Sequence, residues 1–442
     1  MNSSHPNRLL VWFRSIGPAI IVASVVLGPG SILTSSKVGC QYGYSMLWVL
    51  VVAVVLMIGM TALAARLGVG AEKTLCGELA DRIGRPFSAM VGIVLFLVVA
   101  SFQSSNNMAV VTSIESVLAS GPTTDTSGST KTILIVLLVL FNIALIGTMF
   151  VLKSLYKPLE RLMKFLLGVM ILGFGANLCL AGPSLGEVFS GLVPSIPSEL
   201  AGGFWPRLNT SGHIVDPLWA IQGLVATTFS VAGAFYQSYL AREKGWTSSQ
   251  LKQGLVDSIV GISVLGACSA MIMITSATML HGKMSPDELR SAADVAGQLE
   301  PLFGPAATIL FSCGIFAACF SPFLINAMIG GLLLSDGLGL GSSIDSPWSK
   351  RLTVVAMLLG MSIAIWATIA GNNPVGVIIF AQALTVLGSP LLALSLLYMA
   401  TRSDVRERVS CPIWMIGVCS LGCVVTIVLA ARTAWKLWLE GA

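Results

Sequence analysis

Two apolar segments of this chain are interrupted near their middle, and they hold corresponding places in its two halves. The first covers residues 16–38 and contains Gly-Pro-Gly-Ser at 28–31, and the second covers about 218–240 and is interrupted around 227–233. Proline removes a backbone donor and clashes with the preceding helical turn, and neighbouring glycines let the chain leave the helix. Inside a membrane, unwound backbone is tolerated only where it lines a cavity or is buried in protein. Paired interruptions of this kind predict a solute site between two related halves.

Apolar stretches of membrane-spanning length recur along the whole sequence. Hydrophobic residues make up 55% of the 442 residues and charged residues only 10%, which is not the composition of a soluble globular chain. One helical span requires about 20 consecutive apolar residues. We therefore predict an all-α integral membrane protein, a single membrane domain over 1–442. The spans are expected at about 9–38, 45–66, 88–118, 131–152, 160–181, 216–240, 253–281, 302–335, 352–370, 374–400 and 411–432.

The order of the eleven spans predicts an inverted repeat. The first five spans and the next five each open with an interrupted segment, and an odd number of spans per repeat places the two copies in opposite orientations. We predict one repeat at about 9–181, the other at about 216–400, and an additional helix at about 411–432. The segment 302–335 is too long for one straight span, so we expect it to tilt or break.

The basic residues predict how the chain is oriented. With the N-terminus in the cytoplasm and the spans alternating in direction, 18 of the 25 lysines and arginines fall on the cytoplasmic side. Cytoplasmic loops carry such an excess. We therefore predict a multi-pass protein of a bacterial inner membrane with its N-terminus inside and its C-terminus outside. The net charge of +5 comes from this excess of basic residues in the loops that face the anionic lipid of the cytoplasmic leaflet. The expected partner is therefore the bilayer and not nucleic acid.

Polar side chains inside the predicted spans are nearly all neutral. The three histidines lie in loops or at span ends, and the interrupted segments contain no carboxylate. Five consecutive polar residues at 103–107 point all round a helix, so some of them need a cavity or a polar neighbour. Other Ser and Thr residues in membrane helices often bond only to their own preceding turn. The candidate substrate site comprises Gly28, Ser31, Thr227 and Ser230, with Gln103, Asn106 and Gln382 as neighbours.

Several short motifs occur in an order that resembles one family. They lie at 28–31 with 39–44, 67–70 with 75–81, 186–188 with 191–194, 321–336 and 382–404. Through them the chain resembles, over nearly its whole length, the natural-resistance-associated macrophage protein (NRAMP) family of proton-coupled divalent-metal transporters. The resemblance implies the LeuT-type fold, an inverted repeat of five plus five helices in which helices 1 and 6 are broken.

The positions that bind metal in that family carry different residues in this chain. The resemblance implies metal ligands at an Asp and an Asn of helix 1 and at the Met of a Met-Pro-His motif in helix 6. The matching residues here are Gly28, Ser31 and Ser230, and Val231 and Ala232 replace the Pro-His pair. Only Ser31 and Ser230 remain as weak metal ligands. The thioether that in that family selects Mn²⁺ and Fe²⁺ is absent from this position.

The same comparison affects proton transfer. The Asp and Glu of helix 3, which the family ties to proton movement, correspond here to Gln103 and Asn106. Removing water from a divalent cation requires charged oxygens or many dipoles in a rigid cage. The remaining site offers hydroxyls, amides, unwound backbone and helix N-termini with partial positive charge.

The sequence therefore predicts an NRAMP-like secondary transporter that moves a divalent cation, with hydrated Mg²⁺ favoured, through a carboxylate-free site and without proton coupling. A carrier of a small neutral or zwitterionic solute, such as an amino acid, is the alternative, because helix N-termini can hold a carboxylate. A receptor or scaffold that kept the fold is a third possibility. An enzyme is not expected, because the spans lack an acid–base pair and a nucleophile with a histidine base. No cofactor is expected, and the oligomeric state is left open.

Overall fold

The computed structural model describes residues 22–23, 26–118, 128–151, 172, 174–197, 200, 203–209, 212–299 and 304–441. The start of the predicted span 9–38 and most of the predicted span 160–181 lie outside these residues. In chain order the helices and strands are α1 (Pro29–Tyr42), α2 (Leu47–Gly70), α3 (Leu75–Arg82), α4 (Arg85–Leu118), α5 (Gly128–Val151), α6 (Leu185–Gly191), β1 (Arg207–Leu208), β2 (Ile214–Val215), α7 (Trp219–Thr228), α8 (Val231–Glu243), α9 (Leu251–Met279), α10 (Ala292–Ala296), α11 (Ala307–Leu338), α12 (Pro347–Ile369), α13 (Pro374–Leu384), α14 (Ser389–Thr401), α15 (Ser403–Arg408) and α16 (Ile413–Gly441).

Long apolar helices dominate this architecture. Within the described residues, seven helical stretches are long and apolar enough to cross a bilayer, formed by α2, α4, α5, α9, α12, α13 with α14, and α16. The predicted all-α membrane fold is confirmed. The break allowed for in 302–335 is absent, because α11 continues through Pro322 as a single helix of 32 residues. The two strands pair antiparallel and form a small hairpin outside the helices.

The first interruption lies slightly earlier than the sequence predicts. Val26 is still helical, Leu27 and Gly28 are not, and α1 begins at Pro29. Gly28 has an extended backbone, with φ −100° and ψ −174°. Proline is favoured as the first residue of a helix, where its missing N–H would have no partner anyway. The proline therefore starts the second half of the broken helix, and Leu27 and Gly28 form what we term the first break.

The second break consists of Phe229 and Ser230 and lies within the predicted stretch 227–233. Helix α7 ends at Thr228, and Phe229 has the non-helical angles φ −97° and ψ 69°. Ser230 caps α8, because its Oγ accepts a hydrogen bond from the Gly233 N–H at 3.2 Å. A hydroxyl at this position satisfies one of the backbone donors that a helix start leaves unpaired.

Glycines allow the helices around the two breaks to approach closely. A Cβ at Gly92 on α4 would lie 2.9 Å from the Leu333 carbonyl oxygen of α11, and one at Gly39 on α1 would overlap the Met273 carbonyl of α9. A Cβ at Gly68 on α2 would overlap the Ser238 carbonyl of α8. Small residues at such contacts are typical of helix packing in membranes.

Ion pairs and hydrogen bonds connect the basic loops at one end of the bundle. Arg82 bonds Glu78 at 3.0 Å and Asp404 at 2.5 Å, and its guanidinium holds the pKa of Asp404 below the ordinary value. Arg242 donates to the Ala71 carbonyl at 2.8 Å. We call this the basic end. The side of the membrane that it faces stays a prediction from the distribution of basic residues.

Candidate functional site

A cavity lies beside the two breaks, enclosed by α1, α4, α8, α11 and α13. Its volume is about 20 Å³, and a single water molecule needs about 10–15 Å³. The cavity therefore has room for one water molecule or one bare ion. Its lining consists of Val26, Gly28, Gly30, Ser31, Val99, Phe102, Asn106, Ser230, Ala232, Gly233, Pro322, Asn326, Ile329 and Gln382.

The lining contains polar side chains but no ionisable one. Its polar members are two serines, two asparagines and one glutamine. Elsewhere in the described part of the chain, no group of three or more His, Cys, Asp or Glu residues is placed to hold a metal ion. Any ion in this cavity would therefore be held by neutral oxygens.

The Asn106 amide on α4 is oriented by a residue behind it. Asn106 Nδ2 donates to Gln103 Oε1 at 3.2 Å, and Gln103 Nε2 in turn donates to the Phe323 carbonyl of α11. Gln103 is buried and does not line the cavity, although the sequence predicts it as a neighbour of the site. Asn106 Oδ1 points toward the first break, because a Cβ at Gly28 would lie 3.8 Å from it. The carbonyl oxygen of Asn106 thus faces the cavity side.

The Gln382 amide on α13 is fixed at its nitrogen and free at its oxygen. Nε2 donates to Ser105 Oγ of α4 at 2.9 Å. Gln382 is only 4% exposed, and its buried Oε1 has no hydrogen-bond partner. A buried acceptor left unpaired costs about 1–3 kcal/mol. This oxygen is therefore available to a ligand.

The two predicted serines line the cavity, whereas Thr227 does not. Ser31 Oγ donates to the Val26 carbonyl at 2.7 Å, so its lone pairs stay available. Thr227 Oγ1 lies 3.3 Å from Thr34 Oγ1 and bonds to the Leu224 carbonyl at 3.1 Å. Thr227 joins the two broken helices beyond the cavity, because the break at Phe229 and Ser230 changes the helical phase between positions 227 and 230.

Five of the seven predicted site residues thus meet at one cavity. They are Gly28, Ser31, Asn106, Ser230 and Gln382. Asn326, a polar residue of an apolar span that the sequence marks as able to join the site, also lines the cavity. The prediction did not include the apolar lining or Gly30 and Gly233, for which hydropathy gives no signal because such residues resemble ordinary packing.

The cavity extends to one side of the breaks. Val99 and Phe102 on α4 and Ile329 on α11 lie on the parts of their helices that lead to the basic end. On the other side, Thr34 contacts Thr227, and Gln382 packs directly against Gly30. The cavity therefore extends from the breaks toward the basic end, and packed side chains close it on the other side.

The whole chain has known relatives. The model of the natural resistance-associated macrophage protein-like family matches residues 19–436. The chain belongs to this family. Two curated relatives are named divalent metal cation transporter MntH. The Deinococcus radiodurans protein is 23% identical over 96% of this chain and 89% of its own length, and the Klebsiella pneumoniae protein is 20% identical over 99% and 96%.

Solved structures agree on the fold. A mutant of the Eremococcus coleocola manganese transporter superposes with a TM-score of 0.75 at 18% identity, covering 98% of this chain and 87% of the other. The same transporter in complex with an aromatic bis-isothiourea substituted compound also gives 0.75, at 17% identity over 98% and 87%. The predicted family and the LeuT-type fold class of this NRAMP protein are confirmed, and it is a multi-pass integral membrane protein.

Proposed function

We propose that this NRAMP protein carries a divalent metal cation across a membrane through the cavity at its two breaks. The observation that carries the proposal is the buried, unpaired Oε1 of Gln382. The names of the MntH relatives support the same substrate class.

Hydrogen bonding gives the cavity the polarity that a cation requires. The Asn106 and Gln382 amides each donate one N–H to a protein acceptor, and Ser31 donates its hydroxyl hydrogen. These groups therefore keep oxygen lone pairs for a ligand. Amide, hydroxyl and water oxygens suit hard divalent ions such as Mg²⁺ and Mn²⁺, although neutral oxygens bind them more weakly than carboxylates. The site supports brief, weak binding of the kind that a carrier needs.

The size of the cavity bears on hydration. Mg²⁺ dehydrates reluctantly and usually keeps several waters. A volume of about 20 Å³ holds one water molecule or one bare ion, so a hydrated ion requires a wider conformation than this one. An amino acid, the alternative substrate, requires a still larger widening. The proposed substrate is therefore a divalent cation that keeps bound water in a wider conformation of this uncharged site, and hydrated Mg²⁺ stays a prediction.

Metal entry into liposomes tests this proposal. With purified protein and trapped fluorescent indicators, we expect both Mn²⁺ and Mg²⁺ to enter at millimolar concentration, without the strong preference for Mn²⁺ that a thioether gives. Ser31→Trp is expected to reduce entry to the level of empty liposomes, because an indole fills the cavity. Entry of neither metal into wild-type liposomes would contradict the proposal and favour a small organic solute, to be sought by a thermal-shift ligand screen.

Transport is expected to be independent of protons. None of the described residues lining the cavity titrates, so no side chain there exchanges a proton as the metal moves. With the membrane potential clamped, a trapped pH indicator should report no acidification during metal entry. Acidification in proportion to the metal transported would show that protons follow a route outside the cavity.

We further propose the orientation and repeat boundaries that the sequence predicts. The basic end then faces the cytoplasm, and the cavity lies on the cytoplasmic side of the breaks. Site-directed labelling of whole cells from the outside tests the orientation. Position 283, at the end opposite the basic end, is expected to be labelled, and position 351, at the basic end, is not.

A further inference from the structure

The last helix, α16, carries an arginine that is buried together with its counter-ion. The side chains of Arg432 and Asp216 are 3% and 4% exposed, and Arg432 Nη2 lies 2.6 Å from Asp216 Oδ1. Arg432 also donates from Nη1 to Gln222 Oε1 at 2.8 Å and from Nε to the Phe204 carbonyl at 2.8 Å. A buried ion pair is stable only when further hydrogen bonds satisfy its remaining groups, as they do here.

These contacts tie three separate segments together. Asp216 and Gln222 flank the start of α7, and Phe204 precedes the β1–β2 hairpin. Asp216 Oδ1 accepts the Leu218 N–H at 3.2 Å, which holds the carboxylate at the entry of α7. The same end of α16 reinforces the attachment, because Thr433 bonds the Gln222 amide and Trp435 Nε1 donates to the Pro206 carbonyl at 3.1 Å.

A stack of side chains extends the attachment toward the cavity helix α13. Lys436 Nζ lies 3.2 Å from the centroid of the Trp219 ring, in the first turn of α7. The Trp219 ring lies 5.9 Å from that of Phe380, centroid to centroid. Cations over indole rings and tilted aromatic pairs are both attractive. Phe380 precedes the cavity residue Gln382 by two positions.

From this arrangement we propose that Arg432 is a positioning residue that fixes α7 against α16 and so holds the second break in place during transport. A carrier of this fold must rearrange its broken helices to expose the site to each side in turn. Helix α7 is fastened to α16 through its first turn, whereas the non-helical Phe229 leaves α8 without helical continuity to it. The inference rests on the proposed transport function, and none of the fastening residues lines the cavity.

Two variants separate fastening from charge compensation. Arg432→Met combined with Asp216→Leu removes the whole ion pair, so it leaves no buried charge unpaired, and such replacements are often tolerated by the fold. Arg432→Lys keeps the charge but loses the planar fork that reaches three acceptors. The control is Arg351→Met, which removes an exposed arginine stacked 5.1 Å from the Trp348 ring centroid at the other end of the bundle.

Hydrogen exchange of the full chain in nanodiscs is the first readout. In both variants we expect the amides of α7 to exchange about tenfold faster, because the side-chain bonds that hold the start of α7 against α16 are lost or weakened, while those of α8 are unchanged. In liposomes, we expect the maximal rate of Mn²⁺ entry to fall about tenfold with a half-saturating concentration near that of the wild type, since the cavity is untouched.

Wild-type exchange and wild-type maximal rate in the double variant would overturn the inference, because Arg432 would then serve only to neutralise Asp216. Full function of Arg432→Lys would overturn it as well, since one charge without the fork would suffice. If the wild-type protein admits no metal, the proposed function fails, and the exchange data still decide whether Arg432 fixes α7.

Discussion

Replacing Gly30 by alanine is expected to stop metal entry while leaving the fold intact. An alanine Cβ would lie 2.8 Å from Gln382 Cγ and closer still to the Gln382 amide, well inside normal contact distance. Gln382 would have to leave Ser105, and its free oxygen would leave the cavity. Since Gly30 lies within α1, alanine itself is favourable for the helix. We expect liposome uptake of Mn²⁺ to fall by about tenfold or more, with a loss of stability of about 1–3 kcal/mol from the broken Gln382–Ser105 hydrogen bond.

Gly417→Ala is the matched control, because a Cβ at this glycine of α16 meets nothing within 4 Å. It should transport as the wild type does. Equal uptake by the Gly30 and Gly417 variants would show that the position of Gln382 is irrelevant to transport, and would remove the main support for the cavity as the cation site.

Introducing a carboxylate at Gly28 is expected to strengthen metal binding. The backbone there is extended and allows any residue, and a Cβ would lie 3.2 Å from Pro322 Cγ, which requires only a small shift. An aspartate at this position would place a charged oxygen near Asn106 Oδ1, 3.8 Å from the Cβ. For Gly28→Asp we expect the half-saturating Mn²⁺ concentration to fall about tenfold, because a charged ligand is present where the wild type has no side chain.

Gly28→Asn distinguishes charge from shape. It has nearly the same size and no charge, so its half-saturating concentration should stay near the wild-type value. The aspartate variant alone should lose affinity as the pH falls, because a protonated carboxyl no longer carries the charge that attracts the ion. Equal affinities of the two variants at neutral pH would mean that the metal does not approach position 28.

Much of the fold follows from the sequence because each membrane helix must satisfy its own backbone within one apolar segment. The two breaks were located to within a few residues from their glycines, proline and hydroxyls. The segment 302–335 was expected to tilt or break because of its length, and the part of it that the structure describes contains no break: α11 passes through Pro322 as one helix of 32 residues. The exact start of α1 was missed because proline both ends one helix and favours the first position of the next.

The site was predictable in its polar members and not in its finer geometry. Ser31, Asn106 and Gln382 stand out as polar residues in apolar spans, and all three line the cavity. Gln103 belongs to the same polar run but lies behind Asn106, because successive residues of a helix point in different directions. Sequence alone does not decide which atom of the Gln382 and Asn106 amides is free. Gln382 is oriented by Ser105 on a neighbouring helix, and Asn106 by Gln103 on its own helix.

The uncharged lining of the cavity has an electrical consequence. With no ionisable side chain among its described lining residues, a loaded site carries the two positive charges of its ion, and an empty site carries none. Moving one elementary charge through 100 mV corresponds to about 2.3 kcal/mol, so a divalent ion gains about 4.6 kcal/mol. At equilibrium that energy supports an ion accumulation of about two thousandfold. The membrane voltage alone would then concentrate the substrate in the negative compartment, and the empty carrier would return without opposing it.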